Sequence, residues 1–482
     1  HDIFMLTGYG AMYLNDAIER ENIRYFAARN EAAAPMMAEA YAKETGNIGA
    51  VCVTAGPGAT NALPGLAEAY VDSAPVIILS GQVEKKFSAD YYKNINLRTL
   101  GIAEFSITRI VKNITKYSVT IRNPKKCLYE IQKALHLCKS GRPGPVWVEI
   151  PLDVQSYKIK NPKLLKSFKF KNKKDKISNI KLKKFINLIN KSKKPIFIIG
   201  NGIKQSNTSK IFYAISKNKK IPFFTSRFAS DLFSHKKKEH LGLLGIKGSI
   251  FCQEIIKKSD LIIALGCRLA PALTAGIENS FGKKIKLIAV NNDENEINNP
   301  LLKFDLKINL ELKNFFEQIN SKKSKIYNKD HSWINYCNKI KTNKEIPNIY
   351  KKTNPIDLYR FMHDLGKYTS KNHILITDAG SNYYIGGQVW KFEKGQREIA
   401  STTNAAMGLS VPLSIGAAVA SKKQIMSVTG DGSIELNIQE LKTISHYNLN
   451  IKTFVINNGG YVSMKKWQDD YFDGNRLDTE DK

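Results

Sequence analysis

Two short segments near the C-terminus combine residue types that could hold a metal ion against a phosphate: Gly430-Asp431-Gly432-Ser433 and, further along, Asn457-Asn458. Asp431 can supply a hard anionic oxygen and Asn458 a neutral one, a pair that suits magnesium or calcium sharing its sphere with phosphate oxygens. The glycines let backbone and phosphate approach closely. A Gly-Asp-Gly tripeptide alone also makes an ordinary βα turn, so the weight lies in its pairing with Asn-Asn. Ile425–Thr429 reads as a short buried strand, Asn437–His446 as a helix and Thr453–Ile456 as a second strand. The local unit is therefore strand, glycine-rich turn, helix, strand.

The rest of the chain must supply the frame. At 482 residues and 43% hydrophobic composition, about three domains with separate cores are expected. The first, 1–155, alternates an Ala-rich helix (Glu31–Glu44) with apolar strands at Gly49–Val53, Val76–Leu79 and Val146–Ile150. Such continuous apolar runs are natural to a buried parallel sheet covered by helices. A Lys-rich linker, 156–180, leads to a second α/β region, 181–325, with strands at Pro195–Ile199, Leu261–Leu265 and Leu287–Val290 that each stop at Gly or Asn. A polar stretch, 326–352, reads as a second linker. The third region, 353–482, holds a strand at Ile374–Thr377, a small-residue helix at Pro412–Ala420 and the Gly430 turn, and reads as incomplete where it stops at Lys482. The expected fold class is α/β, with three doubly wound parallel-sheet domains.

Composition excludes several functions. The formal charge of +31 is mostly lysine, and its densest stretch, Lys158–Lys194, lies between domains and does not alternate aromatic with basic residues in a recognisable RNA-binding pattern, which describes a solvated linker rather than a nucleic-acid surface. Only weak, nonspecific retention of DNA or RNA is expected. Cys52, Cys127, Cys138, Cys252, Cys267 and Cys337 lack Cys-x-x-Cys spacing, so neither a zinc site nor a disulfide framework is suggested. No apolar run reaches membrane-spanning length and His1-Asp2-Ile3 does not open a leader, so a cytoplasmic protein without membrane contact is expected.

Further segments carry a resemblance that covers nearly the whole chain: Gly56-Pro57-Gly58-Ala59-Thr60-Asn61, Asp72-Ser73-Ala74-Pro75, Ser80-Gly81-Gln82-Val83, Gly141-Arg142-Pro143-Gly144-Pro145-Val146 and Asn437-Ile438-Gln439-Glu440-Leu441. Together with the Gly-Asp-Gly and Asn-Asn pair they resemble the acetolactate synthase large-subunit branch of the thiamine-diphosphate enzymes. The resemblance implies pyrimidine-binding, central and diphosphate-binding domains, with thiamine diphosphate and Mg2+ as cofactors. It assigns the metal to Asp431, Asn458 and Gly460, and the diphosphate end to Gly430, Gly432, Ser433 and the Ser381-Asn382 pair, which stands where the family has Gln-His. Pro57 and Asn61 fall in its cofactor-binding segment.

Glu31 is the implied catalytic carboxyl, exchanging a proton with the aminopyrimidine ring, and burial against Ala32–Ala34 would favour the proton-sharing form. A carboxylate that merely stabilises a helix N-terminus is the plain alternative. Met407 is implied to wedge between the cofactor rings and hold them bent, although methionine often only fills a core gap. Gln82 resembles the glutamine that faces the reacting molecule, with a strand-end hydrogen bonder as its alternative. Gly8 and Gly10 resemble the loop that closes over the site. The implied reaction is decarboxylation of a 2-keto acid, pyruvate first, followed by carbon–carbon bond formation. A simple decarboxylase usually places histidines nearby, and none of the eight here falls in the expected active-site loops of the first domain. Because the acid and the metal motif lie on different domains, the resemblance implies a homodimer or dimer of dimers with shared sites.

Departures keep alternatives open. Ile102-Ala103-Glu104 replaces Phe-Gln-Glu, Gly459–Met464 lacks the Gly-Met-Val pattern, and Asn30 stands where a His precedes the acid. A related 2-keto acid decarboxylase, or a two-carbon transferase onto a keto-sugar nucleotide, is the second enzyme reading; a non-catalytic binding module is the alternative of another class. Leu265-Gly266-Cys267-Arg268 resembles the strand end near which synthases hold FAD, yet Leu269–Ala272 and Asn291-Asn292-Asp293 replace the acidic partners, which weighs against FAD without closing the question.

Overall fold

The computed structural model describes residues 2–92, 97–170, 175–274, 285–320, 325–343, 355–401 and 403–479. Residues 171–174 and 344–352 of the two expected linkers lie outside the described residues. The chain divides into two compact units, one of His1–Lys171, Ile374–Gly380 and Ile399–Lys482, the other of Asn172–His373 and Ser381–Glu398.

In the first unit six strands form one parallel sheet: β1 (Asp2–Met5), β2 (Arg24–Ala27), β3 (Gly49–Val53), β4 (Val76–Gln82), β5 (Tyr117–Thr120) and β6 (Val146–Pro151). Their order is β2-β1-β3-β4-β6-β5. The runs Gly49–Val53 and Val146–Pro151 are almost wholly buried, as a sheet covered on both faces requires. The order in which successive strands are added reverses at the parallel β1/β3 pair, and in open α/β sheets such a switch point leaves a crevice at the carboxyl ends of the strands.

The helix Ala33–Thr45 covers this sheet and ends at Gly46, whose φ of +71° forms the left-handed cap that glycine adopts freely. It packs against the helix Ser410–Ala420 of the same unit, and Met37, Val411 and Ile415 share a core with Phe4, Leu66 and Trp147. The two backbones meet so closely that a Cβ on Gly416 would lie 1.9 Å from the Met37 carbonyl oxygen. Small residues along Ser410–Ala420 are thus a condition of the crossing.

The remaining sheet associated with this unit has the order β14-β13-β15-β16, with β13 at His373–Thr377, β14 at Arg397–Ile399, β15 at Gln424–Gly430 and β16 at Ile451–Ile456. β15 and β16 run parallel with Gly430 opposite Ile456, so the loops that follow them emerge side by side.

The second unit is built on a six-stranded parallel sheet of β7 (Pro195–Ile199), β8 (Phe223–Thr225), β9 (His240–Leu243), β10 (Leu261–Leu265), β11 (Lys286–Asn291) and β12 (Leu306–Asn309), ordered β12-β11-β10-β7-β8-β9. Within 326–352, expected to be a linker, Ser332–Asn343 is a helix; its Trp333, Cys337 and Ile340 join the core of Ile196, Ile262 and Leu287. Those apolar residues recur at helical spacing inside an otherwise polar segment, which is why the composition misleads there. Among the described residues no helix is long and apolar enough to cross a membrane.

Candidate active site

The expected residues of the first domain gather at the carboxyl ends of its strands. Gly8 and Gly10 follow β1, Glu31 follows β2, Pro57 and Asn61 follow β3, and Gln82 ends β4. Glu31 lies in the turn before the helix, not within it, because the Asn30 side-chain oxygen accepts the Ala32 N–H at 2.8 Å and begins the turn one residue earlier. The half-buried Glu31 carboxylate accepts a hydrogen bond on Oε2 from Asn61 Nδ2 at 3.2 Å. A Cβ on Gly58 would meet Thr54 at 2.6 Å and stand 3.5 Å from Glu31 Oε1, so glycine there keeps the second oxygen accessible.

The Gly8–Gly10 loop is fixed against β3: the Gly10 N–H donates to Thr54 Oγ1 at 3.0 Å, and Gln155 Nε2 donates to the Gly10 carbonyl at 2.8 Å. A Cβ on Gly81 would fall 1.9 Å from that same carbonyl. Gln82 is 3% exposed, and its Nε2 donates to Phe105 O and to Glu149 Oε1, both at 2.9 Å, while its Oε1 accepts the Val83 N–H. Both amide protons are engaged, so this side chain can offer a bound molecule only a remaining lone pair on Oε1. Burial pushes the Glu149 carboxyl up to about 7, against the opposing hydrogen bonds from Thr120 and Gln82.

In the C-terminal domain Asp431 follows β15 and Asn458–Gly460 follow β16. Asp431 Oδ2 accepts the N–H groups of Asn458, Gly459 and Gly460 at 3.0, 2.9 and 3.0 Å, and Oδ1 accepts that of Gly432 at 2.9 Å. The turn needs glycine, with φ of +76° at Gly459 and +101° at Gly460. Burial opposes the Asp431 charge, but the N–H groups of Gly460, Gly432, Asn458 and Gly459 hold its carboxyl below the ordinary aspartate range. It is therefore an anion at neutral pH, and Oδ1 retains acceptor capacity for a cation.

Met407 is half-buried and precedes Gly408, whose φ is +78°. The Gly408 N–H donates to Ser433 Oγ at 3.0 Å, and its carbonyl accepts from Asn437 Nδ2 at 2.8 Å. This use of Asn437 accompanies a later start of the helix expected over Asn437–His446: the α-helix runs Glu440–His446, after a short helix at Asp431–Ile434 and a 3-10 turn at Glu435–Asn437. Ser381 and the buried Asn382 open the helix Ser381–Val389 of the other unit, where the Asn382 side-chain oxygen accepts the Tyr383 N–H.

Three buried carboxylates had no role in the sequence reading. Asp378, at the end of β13, accepts the Ala379 and Ser410 N–H groups and the Thr429 hydroxyl, tying β13, β15 and the helix after Met407 together. Glu440 accepts the N–H groups of Arg29 and Asn30 at 2.7 and 3.0 Å, fixing the turn that presents Glu31. Glu68 binds the loop before Met407. Burial raises all three carboxyls above their ordinary values, against the hydrogen bonds that favour the charged form.

The residues fit a magnesium-bound diphosphate. Among the described residues no group of three or more His, Cys, Asp and Glu side chains could hold a metal by itself. An ion beside Asp431 must accordingly complete its sphere with the Asn458 amide, backbone carbonyl and ligand oxygens, which is how magnesium is held with phosphates.

Parallel-sheet domains that offer an Asn-held carboxylate at one set of strand ends and an anionic aspartate turn at another have the features of a coenzyme-diphosphate enzyme. The sequence comparisons agree domain by domain: the thiamine pyrophosphate enzyme N-terminal TPP binding domain matches residues 1–99, the central domain 182–319 and the C-terminal TPP binding domain 378–482. The acetolactate synthase large subunit of Buchnera aphidicola is 30% identical over 481 residues, 98% of this chain and 82% of the relative. That of Lactococcus lactis is 29% identical over 480 residues, 98% and 81% of the two chains. The probable large subunit of Methanocaldococcus jannaschii is 30% identical over 485 residues, 97% and 78%. The chain belongs to the thiamine-diphosphate-dependent enzymes, in the branch of the acetolactate synthase large subunits.

Proposed function

We propose that this chain is a magnesium-dependent carboligase that decarboxylates a 2-keto acid, pyruvate foremost, and joins the remaining fragment to a second carbonyl compound. The observation that carries this reading is the pairing of Glu31, presented by Asn61 and the Glu440-held turn, with the Asp431 turn of the C-terminal domain. Thiamine diphosphate, when bound, supplies an acidic thiazolium carbon and an electron sink for carbon–carbon chemistry beside a carbonyl.

The chain's own groups supply geometry and proton traffic. Asp431 Oδ1, the Asn458 amide and the Gly460 carbonyl would hold magnesium, and Gly430, Gly432 and Ser433 would border the diphosphate. Glu31 would share a proton with the aminopyrimidine ring nitrogen, Pro57 and Asn61 would border that ring, and Met407 would wedge between the two rings to hold them bent. Gly8 and Gly10 close the substrate side, where Gln82 offers its oxygen. The assembly is a homodimer or dimer of dimers in the cytoplasm, a setting in which all six cysteines remain thiols.

Ile102 is 93% exposed and Ala103 has a φ of +56°, with its carbonyl 2.5 Å from where a Cβ on Gly56 would stand. This altered rim favours an acceptor other than pyruvate as the second reading, a keto-sugar nucleotide among them. Incubation with thiamine diphosphate, magnesium and pyruvate, with and without added carbonyl acceptors, followed by mass spectrometry, separates the cases. A new carbon–carbon product is expected; acetaldehyde as the sole product contradicts carboligation.

A further inference from the structure

Glu68, on the helix Leu63–Val71, has no exposed surface. A carboxylate so placed needs donors, and it draws three from one distant loop. Ser401 Oγ donates to Oε2 at 2.6 Å, Asn404 Nδ2 to Oε1 at 2.6 Å, and the Ala406 N–H to Oε1 at 3.3 Å. Ser401 Oγ in turn accepts the Ala405 N–H at 3.2 Å. Ala405 has a φ of +51°, a left-handed conformation that a non-glycine residue keeps only where its surroundings enforce it.

The same loop is gripped one residue earlier. Lys43 Nζ donates to the Ala400 carbonyl at 3.0 Å and to Asp72 Oδ2 at 2.9 Å, with Glu39 against its other side. On the far side of Met407, Ser433 and Asn437 hold Gly408. Met407 thus sits between two sets of fixed backbone points, one governed by Glu68 and the other by Ser433 and Asn437.

We propose that Glu68 is a positioning residue, whose carboxylate fixes the backbone at Ser401 and Asn404–Ala406 and so sets where Met407 meets the cofactor. The inference rests on the wedge role proposed for Met407. All three partners donate, so every contact requires an acceptor on Glu68. In Glu68→Gln the new amide must point either at Asn404 and Ala406, facing donors with a donor, or at Ser401, whose hydroxyl proton then loses its acceptor. The loop is expected to loosen while the fold stays.

The test uses the full chain with thiamine diphosphate and magnesium, comparing wild type, Glu68→Gln, Asn404→Ala and the polarity-swapped pair Glu68→Gln/Asn404→Asp. Three quantities are read: cofactor affinity by calorimetry, hydrogen–deuterium exchange at the thiazolium carbon of the bound cofactor, and amide exchange of a peptide spanning Ala405–Gly408 in cofactor-free protein. Glu68→Gln is expected to keep affinity and KM near wild type, to slow the carbon-bound exchange and kcat by about 10²-fold, the scale of a small misplacement of a reacting group, and to speed the loop amides. Asn404→Ala should move all three in the same directions by less, and the swapped pair should recover part of the loss.

Wild-type exchange at both positions in Glu68→Gln and Asn404→Ala overturns the positioning role alone. So does a loss of affinity that matches the loss of rate, since that marks a merely structural contact. Should wild type itself fail to bind the cofactor, the proposed function falls, and this role with it.

Discussion

Replacing Glu31 with Gln is expected to leave thiamine diphosphate bound and to lower kcat by ~10²- to 10⁴-fold, the range for losing one positioned proton-transfer group. The substitution preserves shape: the Gln oxygen can take the Asn61 hydrogen bond that Glu31 Oε2 accepts, and the turn stays held by Glu440 through Arg29 and Asn30. What disappears is the capacity to exchange a proton with the ring nitrogen. Steady-state kinetics with a parallel cofactor titration checks both halves. Unchanged turnover would remove Glu31 from the chemistry.

Asp431→Ala should act on binding. Its two oxygens accept four backbone N–H groups, so deletion both removes the anionic metal ligand and leaves the Asn458–Gly460 turn without the acceptor that shapes it. Losing charge-assisted contacts on this scale costs ~3 kcal/mol, or about 10²-fold in magnesium-dependent cofactor affinity. Retention of the cofactor through gel filtration in magnesium, wild type against variant, reads the difference. Equal retention with and without magnesium in both proteins would refute the ligand role.

The sheet strands were legible because parallel strands buried on both faces read as unbroken apolar runs: Gly49–Val53, Pro195–Ile199 and Leu261–Leu265 have in the structure the bounds that the sequence suggests. The turns that carry Asp431 and Asn458 were legible because glycine-rich turns at strand ends are local and leave a local signature. The buried carboxylates that hold the loop before Met407 and the turn before Glu31 were not. Glu68 finds its donors 333 to 338 residues away, and Glu440 meets the Arg29 and Asn30 N–H groups 411 and 410 residues away. Half of each such pair is backbone or a small polar side chain, which carries no pattern of its own.

Gln82 illustrates a different limit. Its position at the end of β4 follows from the apolar run before it, but the direction of its amide is decided by Glu149 and the Phe105 carbonyl, on segments that the sequence cannot orient. The helix Ser332–Asn343 was hidden by its lysines and asparagines, although Trp333, Cys337 and Ile340 kept a helical spacing.

The central claim is that this chain binds thiamine diphosphate through a metal held by Asp431 and an acid supplied by Glu31. Calorimetric titration of the wild-type protein with thiamine diphosphate, once in magnesium and once in a chelator, tests it most directly. Saturable binding that is strong in magnesium and collapses in chelator is the predicted result; no heat of binding in either buffer, from protein shown to be folded, would contradict it.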